Sequence, residues 1–90
     1  MPPNRSAAKR AAQARRRALR NAAVKSRTKT AIRRFREALE QGEEETIKEK
    51  LRQAIRVIDK AVTKGVLHRN AAARRKSRLY KLFRTKPAQQ

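Results

Sequence analysis

The sequence predicts an all-α fold: a three-helix bundle whose long N-terminal helix projects beyond the core, with helices over about residues 4–41, 43–64 and 68–85. Three observations carry this. Glycine interrupts the chain only at Gly42 and Gly65, and proline occurs only at Pro2, Pro3 and Pro87, so the breakers leave three segments. Within each segment, large apolar residues return at the steps of one helix face. Alanine and arginine, both strong helix formers, fill much of the rest. Ninety residues fit one domain, so 1–90 is read as a single unit.

The first helix starts after Asn4 or Ser6, either a good N-cap, and ends at Gly42, placed as a left-handed C-terminal residue. It spans about 55 Å, longer than the other two helices can cover. Its halves differ. From Val24 onward, Val24, Thr28, Ala31, Ile32, Phe35 and Leu39 form one apolar stripe. Before Val24, the only large aliphatic residue after Met1 is Leu19, so this half has no core to join. Arg16 and Arg20, one turn apart, repel each other until a counter-charge intervenes.

The second helix opens with Glu43, Glu44 and Glu45, acids placed where the helix dipole favours them. Ile47, Leu51, Ala54, Ile55, Ile58, Ala61 and Val62 give the cleanest amphipathic pattern in the chain. The opposite face is expected in solvent, laced by Glu44–Lys48, Glu49–Arg52 and Arg56–Asp59 pairs. Gly65 ends this helix. The third carries Ala72, Leu79, Leu82 and Phe83 on one side and Asn70, Arg74, Ser77, Arg78 and Lys81 on the other. Short connections make sequential helices antiparallel neighbours.

Composition makes the fold marginal on its own. Leu, Ile, Val and Phe supply only 16 residues of 90, and the net charge is +20. A partner is expected to stabilise it, and the charge says which kind. Residues 1–36 carry 13 basic groups and no acid, 37–60 carry five basic and seven acidic groups, and 61–90 carry nine basic and no acid. Two basic arms thus flank a nearly neutral middle, the layout expected when the arms touch nucleic acid and the middle faces solvent.

The strongest constellation is a line on the first helix: Lys9, Arg16, Arg20, Arg27 and Arg34 stay on one flank, with Arg10, Arg17, Lys25, Lys29 and Arg33 on other faces. A charge run is ordinarily a solvated face, but 13 cations without an acid favour a polyanion. Arginine forks suit bidentate phosphate contacts and stacking on bases. Ser6, Asn21, Ser26, Thr28, Thr30, Asn70 and Ser77 are short hydrogen bonders that reach phosphate or 2′-hydroxyl groups. Phe35, Tyr80 and Phe83 are too few for an aromatic platform, which favours folded RNA read by shape and phosphate.

Other chemistries find little support. The chain has no cysteine and one histidine, so a disulfide, thiolate catalysis and a zinc site are not expected. His68, at the start of the third helix, reads as a cap or half-buried packing residue, with an RNA contact beside Arg69 and Asn70 as the alternative. The run Glu43–Glu45 is explained by its helix start rather than by a metal. No phosphate loop or nucleophile motif occurs, and the chain is read as non-enzymatic. The apolar runs are short for a membrane span and no signal-peptide pattern follows the N-terminus, so a cytosolic protein is expected. An Arg-rich, acid-poor N-terminus also fits a transit peptide, but here the helical pattern runs through it unbroken.

Several stretches resemble a known family. Asn4-Arg5-Ser6-Ala7-Ala8-Lys9-Arg10, Arg20-Asn21, Lys25 to Thr30 and Ile32-Arg33-Arg34 are similar to bacterial small-subunit ribosomal protein S-twenty. The most specific match is Lys64-Gly65-Val66-Leu67-His68-Arg69-Asn70-Ala71-Ala72-Ala73-Arg74-Arg75-Lys76-Ser77-Arg78-Leu79. The resemblance covers nearly the whole chain, with the middle helix alike only in pattern. It implies a three-helix, RNA-binding bundle that joins small-subunit ribosomal RNA early in assembly, near the foot of the particle. It implies no cofactor, membrane, small-molecule substrate or homo-oligomer, and leaves room for other small-subunit ribosomal proteins as neighbours.

Carried over by position, the contacts fall on Ser6, Lys9, Arg10, Arg16, Arg17, Arg20, Asn21, Lys25, Ser26, Lys29, Thr30 and Arg33 of the first helix. On the third they fall on His68, Arg69, Asn70, Arg74, Arg75, Ser77 and Arg78. Arginine stands at many places where the family would lead one to expect lysine, which strengthens bidentate contacts without changing the partner. A DNA-compacting, histone-like protein would share the charge and the alanine but would more often show lysine-proline-alanine repeats and no defined bundle. A basic amphipathic membrane binder needs strong apolar residues opposite the charge, which the N-terminal half lacks.

Overall fold

The computed structural model describes residues 5–85, in the order α1 (Arg5–Gln41), α2 (Glu44–Thr63) and α3 (Arg69–Arg84). The expected helices are all present, with α2 and α3 shortened by a residue at each end because Glu43, Lys64, His68 and Thr85 act as caps. Ser6 is not the N-cap: it lies inside the first turn of α1, where the alanine-rich sequence carries the helix back past it. Asn4 and Pro87 lie outside the described residues.

Both turns depend on glycine. Gly42 has φ 79°, and its N–H donates to the Ala38 carbonyl at 2.9 Å, closing α1 with a left-handed cap. Gly65 has φ 74°, and here the closure is double: Gly65 N–H donates to the Val62 carbonyl and Val66 N–H to the Ala61 carbonyl, each at 2.9 Å. This Schellman closure turns the chain sharply into α3. The third helix is then started by His68, whose Nδ1 accepts from the Asn70 N–H at 3.1 Å.

The core is narrow and centred on α2. Phe35 of α1 and Ile47 and Ile58 of α2 are its largest fully buried side chains, joined by Ala38, Ala54, Ala72 and Leu79. Alanines at these positions let the helices approach closely, and Ala31, Ile32, Leu39, Leu51, Ile55, Val62, Leu67 and Phe83 pack around them. Val24 and Thr28 extend the buried stripe of α1, the Thr28 hydroxyl donating to the Val24 carbonyl at 3.0 Å. Leu82 departs from its expected core role, being 37% exposed.

Helix α2 packs against both neighbours, whereas α1 and α3 meet only weakly. One ion pair fastens α3 to α2: Lys76 Nζ donates to Asp59 Oδ1 at 2.9 Å. Asp59 therefore does not pair with Arg56 as the spacing suggested, because an amine from the facing helix lies closer. Glu49 is approached by Gln53 Nε2 at 3.4 Å rather than by Arg52. Only the expected Glu44–Lys48 pair forms, at 3.8 Å and well exposed.

Residues 5–23 of α1 extend about 28 Å beyond the core. All are exposed except Ala12 and Asn21, which are half-buried, and Leu19 shows 72% of its surface. The described chain measures 73 × 22 × 13 Å with a radius of gyration of 18.2 Å, against about 12 Å for a compact chain of this length.

Candidate nucleic-acid interface

Because α1 and α3 each lean on α2 and scarcely on each other, a groove of about 600 Å³ opens between them. Lys29, Arg33 and Arg36 stand on its α1 wall, at intervals of four and three residues that keep them on one face. Arg74, Arg75 and Arg78 stand on the α3 wall, and Ile32, Ala71, Leu79 and Leu82 form the floor. Six cations thus converge on one volume with no acid in its lining. The nearest compensation is Glu37, 3.7 Å from Arg33 Nε, but both side chains are more than half exposed and such a pair is weak. Lys76, on the same helix as the α3 wall, is held by Asp59 and does not line the groove.

The groove continues towards the α2–α3 connection into a smaller cleft of about 80 Å³, lined by Val24, Lys25, Thr28, Ala61, Val66 and Leu67. Lys29 and Arg75 border both spaces. The other flank of α1 carries a separate hollow of about 340 Å³, where Ser26, Arg27, Thr30 and Arg34 face Gln53 and Val57 of α2. On the projecting arm, Arg16, Arg17 and Arg20 surround Gln13 in a shallow hollow of about 420 Å³.

The structure therefore divides the residues marked in the sequence. Lys25, Lys29 and Arg33 are brought together with Arg74, Arg75 and Arg78; Ser26 and Thr30 are not, since α1 stands between them and α3. The line that includes Arg27 and Arg34 borders the α1–α2 hollow, whereas the α3 groove uses the opposite flank of α1. Ser6, Lys9, Arg10, Arg16, Arg17 and Arg20 are exposed on the arm, and Asn21 is half-buried at its root. His68, Arg69, Asn70 and Ser77 are exposed outside the groove, with His68 engaged as the α3 cap. Arg36 is the residue that sequence reasoning passed over; its position seven residues after Lys29, two turns along one face, was the available signal.

All seven acids lie between Glu37 and Asp59, and six of them crowd residues 37–49 at the α1–α2 turn. The acid-free arm is remote from that turn, whereas Arg33 and Arg36 of the groove lie within one helical turn of Glu37, so the charge separation is between arm and turn. Among the described residues no three His, Cys, Asp or Glu side chains gather as metal ligands, and no helix is long and apolar enough to cross a membrane.

The comparisons with known proteins agree on one family. Residues 2–84 match the family model described as ribosomal protein S20. A small ribosomal subunit protein bS20 of Pelotomaculum thermopropionicum is 57% identical over 83 residues, covering 92% of this chain and 94% of that protein. The protein of the same name from Moorella thermoacetica is 59% identical over 83 residues, covering 92% of this chain and 79% of its own length. That of Desulfitobacterium hafniense is 48% identical over 89 residues, covering 99% and 98%. With its three helices, its two glycine-closed turns and a family match spanning almost its full length, the chain belongs to the ribosomal protein S20 family.

Proposed function

We propose that this chain is a structural constituent of the small ribosomal subunit that binds small-subunit ribosomal RNA directly and stabilises its folded junctions during assembly. It acts in the cytoplasm, within the ribosome, as a single RNA-binding domain and not as an enzyme. The observation that carries the reading is the convergence of six cations from α1 and α3 on one groove with no acid in its lining, in a chain of net charge +20.

The arm supplies the second contact. Lys9, Arg10, Arg16, Arg17 and Arg20 distribute charge around an exposed helix, an arrangement that is repulsive in water and favourable when RNA phosphates approach from more than one side. Ser6, Asn21, Lys25, Ser26, Lys29, Thr30 and Arg33, with His68, Arg69, Asn70, Arg74, Arg75, Ser77 and Arg78, complete the proposed contact set. Arg36 joins it on the geometry of the groove. The mechanism is electrostatic clamping: basic side chains displace counterions from neighbouring RNA segments and hold a junction that RNA alone would sample.

Titration of the full chain with a folded fragment of small-subunit ribosomal RNA tests this across salt concentrations. The expected slope of log affinity against log salt is roughly −0.7 to −0.9 for each phosphate neutralised. An affinity indifferent to salt, or duplex DNA competing as well as the ribosomal fragment, counts against the proposal.

A further inference from the structure

We infer that the α1–α3 groove receives one unpaired RNA strand, its phosphates met by both walls and its sugars and base edges laid on the aliphatic floor. The inference rests on the reading of the chain as an RNA-binding ribosomal protein and specifies what that RNA presents at this place.

Two features select a single strand over a duplex. The first is the floor. A duplex turns its phosphates outward and buries its base faces, so it presents little apolar surface to the half-buried Ile32 and Ala71 and the 37% exposed Leu82. An unpaired strand has riboses and splayed bases to place there while its phosphates remain free for the cations. The second is size. The groove between the two helices holds about 600 Å³, room for the backbone of a strand and not for the body of a duplex. The scarcity of aromatic residues argued against a stacking platform, yet five of the six cations here are arginines, whose planar guanidinium groups stack on bases as well as pair with phosphate. The arm has no such floor. It offers charge on a convex rod, suited to the outer phosphates of paired helices.

The groove and the arm therefore differ in preference. Fluorescence anisotropy on the full chain separates them with a short uridine oligonucleotide, a blunt RNA duplex of equal length and a folded fragment of small-subunit ribosomal RNA. In the groove variant R74E/R78E, oligonucleotide affinity falls about tenfold or more and duplex affinity no more than about threefold; the arm variant R16E/R20E shows the reverse. All four sites are exposed, and R74A/R78A provides a second groove variant should charge reversal disturb α3, whose helicity is checked by circular dichroism. The uncharged change L82S lowers oligonucleotide affinity several-fold and leaves competition by inorganic tripolyphosphate unchanged.

Equal losses for oligonucleotide and duplex in the groove variants overturn the assignment. So does a silent L82S variant whose bound oligonucleotide is displaced by tripolyphosphate at matched charge, which would make the groove an unselective polyanion site. If wild-type protein ignores the folded ribosomal fragment, the proposed function itself fails. If wild-type and groove variants bind both the fragment and the oligonucleotide equally well, only the strand assignment fails.

Discussion

At the start of α3, the imidazole of His68 does what serine or aspartate does at most helix N-termini: its Nδ1 accepts the Asn70 N–H. That role needs Nδ1 unprotonated, which leaves Nε2 as the ring's N–H donor beside Arg69. The sequence presented capping and RNA contact as alternatives, but the two nitrogens serve them separately, and the geometry permits both at once. Replacing His68 with Ala is expected to cost about 1 kcal/mol and lower the thermal midpoint by about 4–8 °C, measured by circular dichroism, whereas Asn keeps the cap and most of the stability. Phe35, fully buried, shows the opposite case. Phe35→Ala removes about 3–5 kcal/mol from a small core, enough to abolish a cooperative melt. Its neighbour Arg36 is exposed; Arg36→Ala is expected to leave the melt within about 0.5 kcal/mol of wild type while weakening RNA binding at low salt. Adjacent positions thus separate folding from binding.

At the scale of the helix, α1 is two elements in one rod. The half after Val24 is organised by a core and the half before it by charge, and that division was legible in the sequence because aliphatic residues all but vanish before Val24. The glycine turns and helix order were equally legible, since a left-handed residue leaves a compositional mark. What the periodicity did not reveal was how α1 and α3 sit across α2. A stripe says which face is buried, and nothing about which of two neighbours covers it. Hence Leu82, apolar and in register with the core stripe, stays 37% exposed in the α1–α3 groove, and Asp59 pairs with Lys76 of α3 rather than within its own helix. Removal of residues 1–23 is expected to leave the thermal midpoint of the remaining bundle nearly unchanged, because residues 5–23 add no buried residue, while making the salt slope of RNA binding markedly shallower. Gly65→Ala meets no neighbour within 4 Å, so its cost is conformational, about 1–2 kcal/mol for a left-handed residue, read as a lower midpoint in urea.

Over the whole molecule, the groove comes from an economy of contacts between helices. Two helices resting on a shared middle one leave a gap lined by cations that would repel across a closed interface, and the gap persists because α1 and α3 need not touch. The site was only partly readable beforehand: the sequence marked the cations, but their grouping into an arm, a groove and a separate α1–α2 hollow depends on which flank of α1 each occupies. Multivalent anions such as sulfate are expected to raise the thermal midpoint of the free chain by relieving repulsion across the groove, an effect that R74A/R78A diminishes.

The weak meeting of α1 and α3 also bears on time. When each substantial helix interface joins neighbours along the chain, closing it requires only the short excursions of two tight turns, and such low-contact-order topologies fold in microseconds to milliseconds. The bundle's refolding after a denaturant jump is therefore expected to finish within the mixing time of a stopped-flow instrument. On the scale of synthesis, which adds about 5–20 residues per second, the hairpin of α1 and α2 can open and close many times before α3 arrives to settle it.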